Sequence, residues 1–134
     1  LGQQLGESIK EAELFQEIDY IIPIPLHPKK EHIRGYNQSH VIAQGVEDVT
    51  EIPIMKDCLY RKVFTSTQTK KSREERWDNV KDIFDIKNGE RLKGQHVLLI
   101  DDVLTTGATL MAAGKTLSQI PDIKISVATA ACAS

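Results

Sequence analysis

Apolar positions along the chain change period several times, and each change marks an element. Leu5, Ile9, Ala12 and Leu14 or Phe15 recur at helical spacing with Glu and Lys between them, which predicts an amphipathic helix. From Tyr20 to Leu26 the chain is β-branched and apolar, as a short buried strand requires. Pro23 and Pro25 cannot donate to a ladder, so that strand is expected to end near Ile22 and open into a rigid loop. Between Gly35 and Val49, the residues Val41, Ile42, Val46 and Val49 form one face of a second helix. CLYRKVF, starting at Cys58, reads as a strand. TSTQTKKSREERWDNVKD, starting at Thr65, is almost free of apolar residues apart from Trp77 and Val80. It is expected to be a mobile polar loop, with a short helix starting at Ser72, which forms a capping box with Glu75. FDIKNGERLKGQ follows as a short strand and a turn at Asn88 and Gly89. HVLLID reads as a buried strand ending at Asp101, and a helix is predicted from about Thr106 to Gln119 with Leu110, Met111, Gly114 and Leu117 inward. IKISVATAACA is the last predicted buried strand.

Strands alternating with helices predict an α/β fold, a mostly parallel twisted sheet with helices on both faces. The 134 residues are enough for one core and too few for two, so residues 1–134 are read as one domain. Because the chain starts at Leu1, it is expected to be the C-terminal part of a longer one. Charge narrows the function classes. A net charge of −2 with 27% charged residues of both signs does not fit a protein that coats nucleic acid or lies on an anionic membrane. Direct nucleic-acid binding is therefore not expected, although KKEHIR and KKSREER can touch phosphates locally. No apolar run approaches the roughly 20 residues of a membrane span and no signal peptide is visible, which predicts a cytoplasmic protein. Cys58 and Cys132 have neither disulfide-framework nor zinc spacing and read as buried strand cysteines.

The candidate chemistry lies in LLIDDVLTTGAT. In a doubly wound sheet ligands bind beyond the carboxyl ends of the strands, which is where Asp101 and Asp102 fall. The following loop enters a helix, whose first N–H groups favour an anion. Gly107 allows close backbone approach, and Thr105, Thr106 and Thr109 add hydroxyl donors, so this segment reads as a phosphate cradle. Two carboxylates beside a phosphate need something hydroxylated or cationic to face, and a ribose diol satisfies both acids. Taken singly, these residues read equally well as a strand end, a solvated acid and helix caps. The complete run, with its fixed spacing, favours the sugar phosphate.

This run resembles the 5-phosphoribosyl 1-diphosphate (PRPP) motif of type I phosphoribosyltransferases. PIPLHPKKEHIRGYNQSHVIA resembles the signature of the ComF family of competence-associated phosphoribosyltransferase-like proteins, carried here by Pro25, His27, Pro28, Lys30, Arg34, Gly35, Tyr36, Asn37 and Gln38. The polar stretch after Thr65 matches the same family through Thr65 or Thr67, Gln68, Arg76 and Asn79. The resemblance implies a type I phosphoribosyltransferase fold. In it, Asp101 and Asp102 would hold the ribose hydroxyls and accompany Mg2+, and Thr105, Thr106, Gly107, Ala108 and Thr109 would bind the 5-phosphate. The diphosphate needs a second anion site, for which Lys30 and Arg34 are candidates, with Lys29 beside them; the lysines read equally as solvated surface charges. His27 serves either an anion, a metal or a structural hydrogen bond, and Tyr36 and Asn37 either the site or packing and capping. Arg76 would clamp the diphosphate from a closing loop, or else pair with Glu74 or Asp78, while Trp77 would anchor that loop onto the core rather than stack on a base.

Two functions share all these motifs. One is a phosphoribosyltransferase using PRPP and Mg2+ on an unknown acceptor. The other is a PRPP-sensing or protein-interaction module with a DNA-processing partner in transformation. A phosphoacceptor receiver domain also carries an acid pair at a strand end, but there the TTGAT cradle would have no purpose. An exposed apolar face on the first helix would suggest a homodimer.

Overall fold

The computed structural model describes residues 2–11, 17–26, 35, 37–62, 83–104 and 107–132. Helix α1 spans Gly2–Glu11, strand β1 Tyr20–Pro23 and helix α2 Gln38–Thr50. Strands β2 (Leu59–Arg61) and β3 (Phe84–Ile86) form an antiparallel hairpin, and a 3-10 turn covers Gly89–Leu92. Strand β4 (His96–Leu104), helix α3 (Ala108–Leu117) and strand β5 (Lys124–Cys132) follow.

The main sheet runs β1, β4, β5, all parallel. A parallel bridge between Ile21 and Ile54 adds the chain after α2 on the far side of β1. Hydrogen bonds from Ile21 N to Pro53 O and from Met55 N to Ile21 O make that bridge. On the other side of β1, Ile24 N donates to Ile100 O. Alternation along the strand therefore turns the nitrogen of Pro23 toward 53–55, beyond the last bond on that side. This is why β1 runs to Pro23, one residue past the predicted end.

Val97, Leu98, Leu99 and Ile100 of β4 are all fully buried, as the central strand of a parallel sheet requires. Their side chains alternate between two apolar layers. Leu98 and Ile100 join Ile21, Ile42, Ala43 and Val46 under α2, while Val97 and Leu99 join Ile22, Leu59, Phe84, Leu110, Ala113 and Leu117 under α3 and the hairpin. The expected double-sided cover is thus present.

Several sequence expectations need correction. Val41 of α2 and Met111 of α3 are exposed, at 46% and 74%; the buried faces are Ser39, Ile42, Ala43 and Val46 on α2, and Leu110, Ala113, Thr116 and Leu117 on α3. Apolarity alone misplaced each face by about one helical position. Strand β4 does not stop at Asp101 but continues to Leu104, because β5 still supplies partners as far as Cys132. β5 is an edge strand of the described sheet rather than a buried one, with Val127 at 47% exposure. Cys58 is buried beside β2, and burial raises its thiol pKa. The Cys132 side chain and residues 63–82, with the predicted polar loop and Ser72 cap, lie outside the described residues.

Helix α1 lies against α2 through glycine. A methyl placed on Gly45 would sit 2.7 Å from the carbonyl carbon of Gly2 and 2.8 Å from the nitrogen of Gln3, both backbone atoms that cannot step aside. The same addition at Gly114 meets nothing within 4 Å. Gly114→Ala is therefore expected to stabilise the protein by about 0.5–1 kcal/mol through helix propensity. Gly45→Ala should destabilise it by about 1–3 kcal/mol, because overpacking outweighs the same propensity gain. Urea unfolding of the two variants checks this difference in sign.

Candidate functional site

From β1 the chain crosses through α2 to one side of that strand, and later returns to β4 on its other side. The connections diverge between β1 and β4, so the carboxyl ends of these strands frame a topological switch point. A cavity of about 280 Å³ opens there. Its walls are the exit of β1 at Ile24–Leu26, the start of α2 at Asn37–Ser39, Arg61 of the hairpin, Asp101 and Asp102 of β4, and Thr109 in the first turn of α3. A second cavity of about 290 Å³ adjoins it and shares Arg61, Asn37, Pro25 and Leu26.

The acid pair sits where the hydrophobic run of β4 meets the cavity, and both residues are half-buried. Asp101 Oδ1 accepts from Ser39 Oγ at 3.2 Å and from Asp102 N at 2.9 Å. Burial holds the Asp101 carboxyl above the ordinary carboxylate range. The neighbouring Asp102 side chain adds to that rise, and the two donors on Asp101 oppose it. Arg61 is the only cation among the described residues lining this cavity. Its Nε donates to Pro25 O at 2.8 Å and its guanidinium stands 5.1 Å from the centre of the Phe84 ring. Burial lowers the Arg61 pKa, and the Asp101 charge counters that effect. Nε is committed to Pro25, so further hydrogen bonds from this guanidinium to a ligand would come from its terminal nitrogens.

At the other end of the site, Gly107 takes φ +78° immediately before α3. A left-handed turn of this kind suits glycine, and it presents the first N–H groups of the helix beside Thr109. No acidic residue stands in that first turn to compete with an anion. Asn37 adopts the capping role that was one of its two readings: its Oδ1 accepts from Ser39 N at 3.1 Å and its Nδ2 donates to Ile24 O at 3.1 Å.

Of the residues singled out from the sequence, Pro25, Asn37, Gln38, Asp101, Asp102 and Thr109 share one cavity, and Gly107 and Ala108 begin the helix beside it. His27, Lys29, Lys30, Arg34, Tyr36, Arg76, Thr105 and Thr106 lie outside the described residues. Two site residues escaped the sequence reading. Arg61 stands two positions after the buried Leu59, so strand alternation turns it inward; a cation on an inward strand position is the signal that marks it. Ser39 lies three, four and seven positions before Ile42, Ala43 and Val46, which makes it a polar residue on the buried stripe of α2.

Among the described residues no three His, Cys, Asp or Glu side chains gather around a point. Two adjacent carboxylates opening on a cavity fit a hard cation such as Mg2+, which keeps most of its waters and shares its remaining positions with a ligand's phosphates.

The raised Asp101 pKa has a consequence for stability. The folded protein holds this proton more tightly than the unfolded chain, so the associated stability is complete below the ordinary carboxylate pKa of about 3.9 and is lost as pH rises through the folded value. Asp101→Asn keeps the acceptor oxygen for Ser39 and Asp102 N. The variant should therefore gain stability over wild type as pH rises from about 4 to neutrality, a difference read from melting temperatures at the two ends.

A doubly wound domain with an acid pair, an arginine and a helix N-terminus around its switch point has the architecture of the type I phosphoribosyltransferase class. The structure aligns with glutamine PRPP amidotransferase from B. subtilis, solved with ADP and GMP, at a TM-score of 0.64 and 19% identity, over 96% of this chain and 26% of that one. That likeness shows the fold. The family model for the phosphoribosyl transferase domain matches residues 39–131, and the chain belongs to this family, as a ComF-type member of it. It is 33% identical over 124 residues to competence protein F of Haemophilus influenzae, and 36% identical over 97 residues to competence protein ComFC of Bacillus subtilis. Those alignments take in 90% and 72% of this chain but 54% and 37% of the relatives, so the chain spans about half the length of the first or less. No helix among the described residues is long and apolar enough to cross a membrane.

Proposed function

We propose that this domain binds PRPP with Mg2+ and transfers its phosphoribosyl group to an acceptor, within a cytoplasmic protein that serves DNA uptake. The observation that carries this reading is the half-buried Asp101–Asp102 pair facing one cavity with Arg61 and Thr109. Asp101 and Asp102 accept from the ribose hydroxyls, as a carboxylate pair opening on a cavity can. Residues Thr105 to Thr109 take the 5-phosphate at the α3 N-terminus. Arg61 meets the diphosphate, joined by Lys30, Arg34 and Arg76 as the family resemblance implies. In the reaction the bond between ribose C1 and the diphosphate oxygen breaks, its electrons leave with diphosphate, and the acceptor's lone pair closes on C1. Mg2+, when bound, neutralises charge on the departing diphosphate. The chain's own contribution is positioning and electrostatics.

Calorimetric titration of PRPP with Mg2+ tests the reading, with ribose 5-phosphate and diphosphate as controls. Micromolar binding of PRPP, tighter than either fragment, is expected. Equal response to all three, or to none, would overturn it. The competence names of the relatives favour a second reading, a PRPP-sensing or protein-interaction module without turnover. Under that reading PRPP binds, no acceptor releases diphosphate, and a DNA-processing protein is the partner.

A further inference from the structure

Hydrogen bonds join the exits of β1 and β4 through the first turn of α2. Asn37 holds Ile24 O with its Nδ2 and Ser39 N with its Oδ1, each at 3.1 Å. Ser39 Oγ then donates to Asp101 Oδ1 at 3.2 Å, and Ile24 N donates back to Ile100 O at 2.8 Å, next to the acid pair. The circuit passes from one strand end to the helix and returns to the other strand end. Ser39 is only 4% exposed, and its companions on the inward stripe of α2 are Ile42, Ala43 and Val46. A buried hydroxyl requires a partner, and no aliphatic neighbour provides one. Its bond to Asp101 is therefore the specific feature of this position.

We propose that Ser39 is a positioning residue that sets the Asp101 carboxylate for its ligand, with Asn37 fixing the helix start from which Ser39 reaches. Oδ1 of Asp101 receives two donors, Ser39 Oγ and Asp102 N. Two donors on one oxygen hold the Asp101 side chain in one rotamer, so the ligand meets a fixed carboxylate rather than one that swings between positions. The Ser39 bond also comes from a different element than Asp101. The acid is thereby held to the α2 side of the cavity as well as to its own strand. For the identity of the ligand the proposal rests on the phosphoribosyl reading; the hold of Ser39 on Asp101 does not depend on it.

The test uses Ser39→Ala, Ser39→Thr, which keeps the hydroxyl, and Thr116→Ala as a control. Thr116 is a buried α3 hydroxyl bonded to Ala112 O at 3.0 Å, so its loss imitates the structural part of the change. Without ligand, three-bond couplings should show one Asp101 rotamer in wild type, Ser39→Thr and Thr116→Ala, and averaging in Ser39→Ala. With PRPP and Mg2+, Ser39→Ala should bind about 10–100-fold more weakly, the usual effect of removing an outer partner of a ligating group. Ser39→Thr should restore most of that affinity, and Thr116→Ala should leave it unchanged. An unaltered Asp101 rotamer in Ser39→Ala overturns the proposal whatever the ligand. So does wild-type affinity in Ser39→Ala, or a folded Ser39→Thr as weak as Ser39→Ala. Should wild type fail to bind PRPP, the phosphoribosyl reading falls, and the rotamer measurement still decides whether Ser39 sets Asp101.

Discussion

Replacing Asp101 and Asp102 together by asparagine is expected to lower affinity for PRPP with Mg2+ at least a hundredfold. Hydrogen bonds to ionised groups contribute about 1.5–3 kcal/mol each, and the double substitution reduces one such bond from each ribose hydroxyl to an ordinary neutral one while removing both charges from the cation. A loss of about 3 kcal/mol corresponds to roughly two orders of magnitude in affinity. Misfolding does not account for such a loss, because Asn keeps the acceptor for Ser39 and Asp102 N and Asp101→Asn alone should be stabilising at neutral pH. Calorimetry on the double variant, with its melting temperature measured beside wild type, reads both effects. A double variant that binds PRPP as wild type does would remove the acid pair from the site.

Arg61→Ala should weaken PRPP binding about 10–100-fold while leaving ribose 5-phosphate nearly unchanged. The two ligands differ by the diphosphate, and Arg61 is the only cation among the described residues lining the acid cavity. A charge-assisted bond in a half-buried setting has the strength for such a loss. Arg61→Lys should recover only part of it. Lysine keeps the charge, but it lacks the planar fork that here donates Nε to Pro25 O while lying over Phe84 and leaving its terminal nitrogens for the ligand. Parallel titrations of the three proteins with both ligands check the split. Equal weakening of both ligands would place the arginine at the sugar or its 5-phosphate instead.

These two sites of action were not equally legible in the chain. Asp101 and Asp102 follow four fully buried apolar residues, Val97 to Ile100, and a strand of that kind in an alternating α/β pattern must end at the ligand face. Local patterning also located β1, α2, the hairpin strands and α3, because burial of an apolar stripe dictates the period of each. It could not set the rotation of α2 and α3 to better than one position. Val41 and Met111 are as apolar as their buried neighbours, and only the path of the sheet beneath decides which of them it covers. The length of β4 past the acids, and the open edge of β5, likewise depend on which strands pair.

The sequence by itself therefore determined the α/β class, the order of its elements and the acid pair with its threonine loop, since each follows from short-range periodicity and a contiguous motif. The tertiary structure alone decided that Arg61, Ser39 and Asn37 share a cavity with those acids. Ser39 and Asp101 are 62 residues apart, and Arg61 and Pro25 are 36 apart. No local pattern carries such distances. They become neighbours because the crossover connections diverge between the parallel strands β1 and β4, and the hydrogen bonds that make them a site form only once that sheet is assembled.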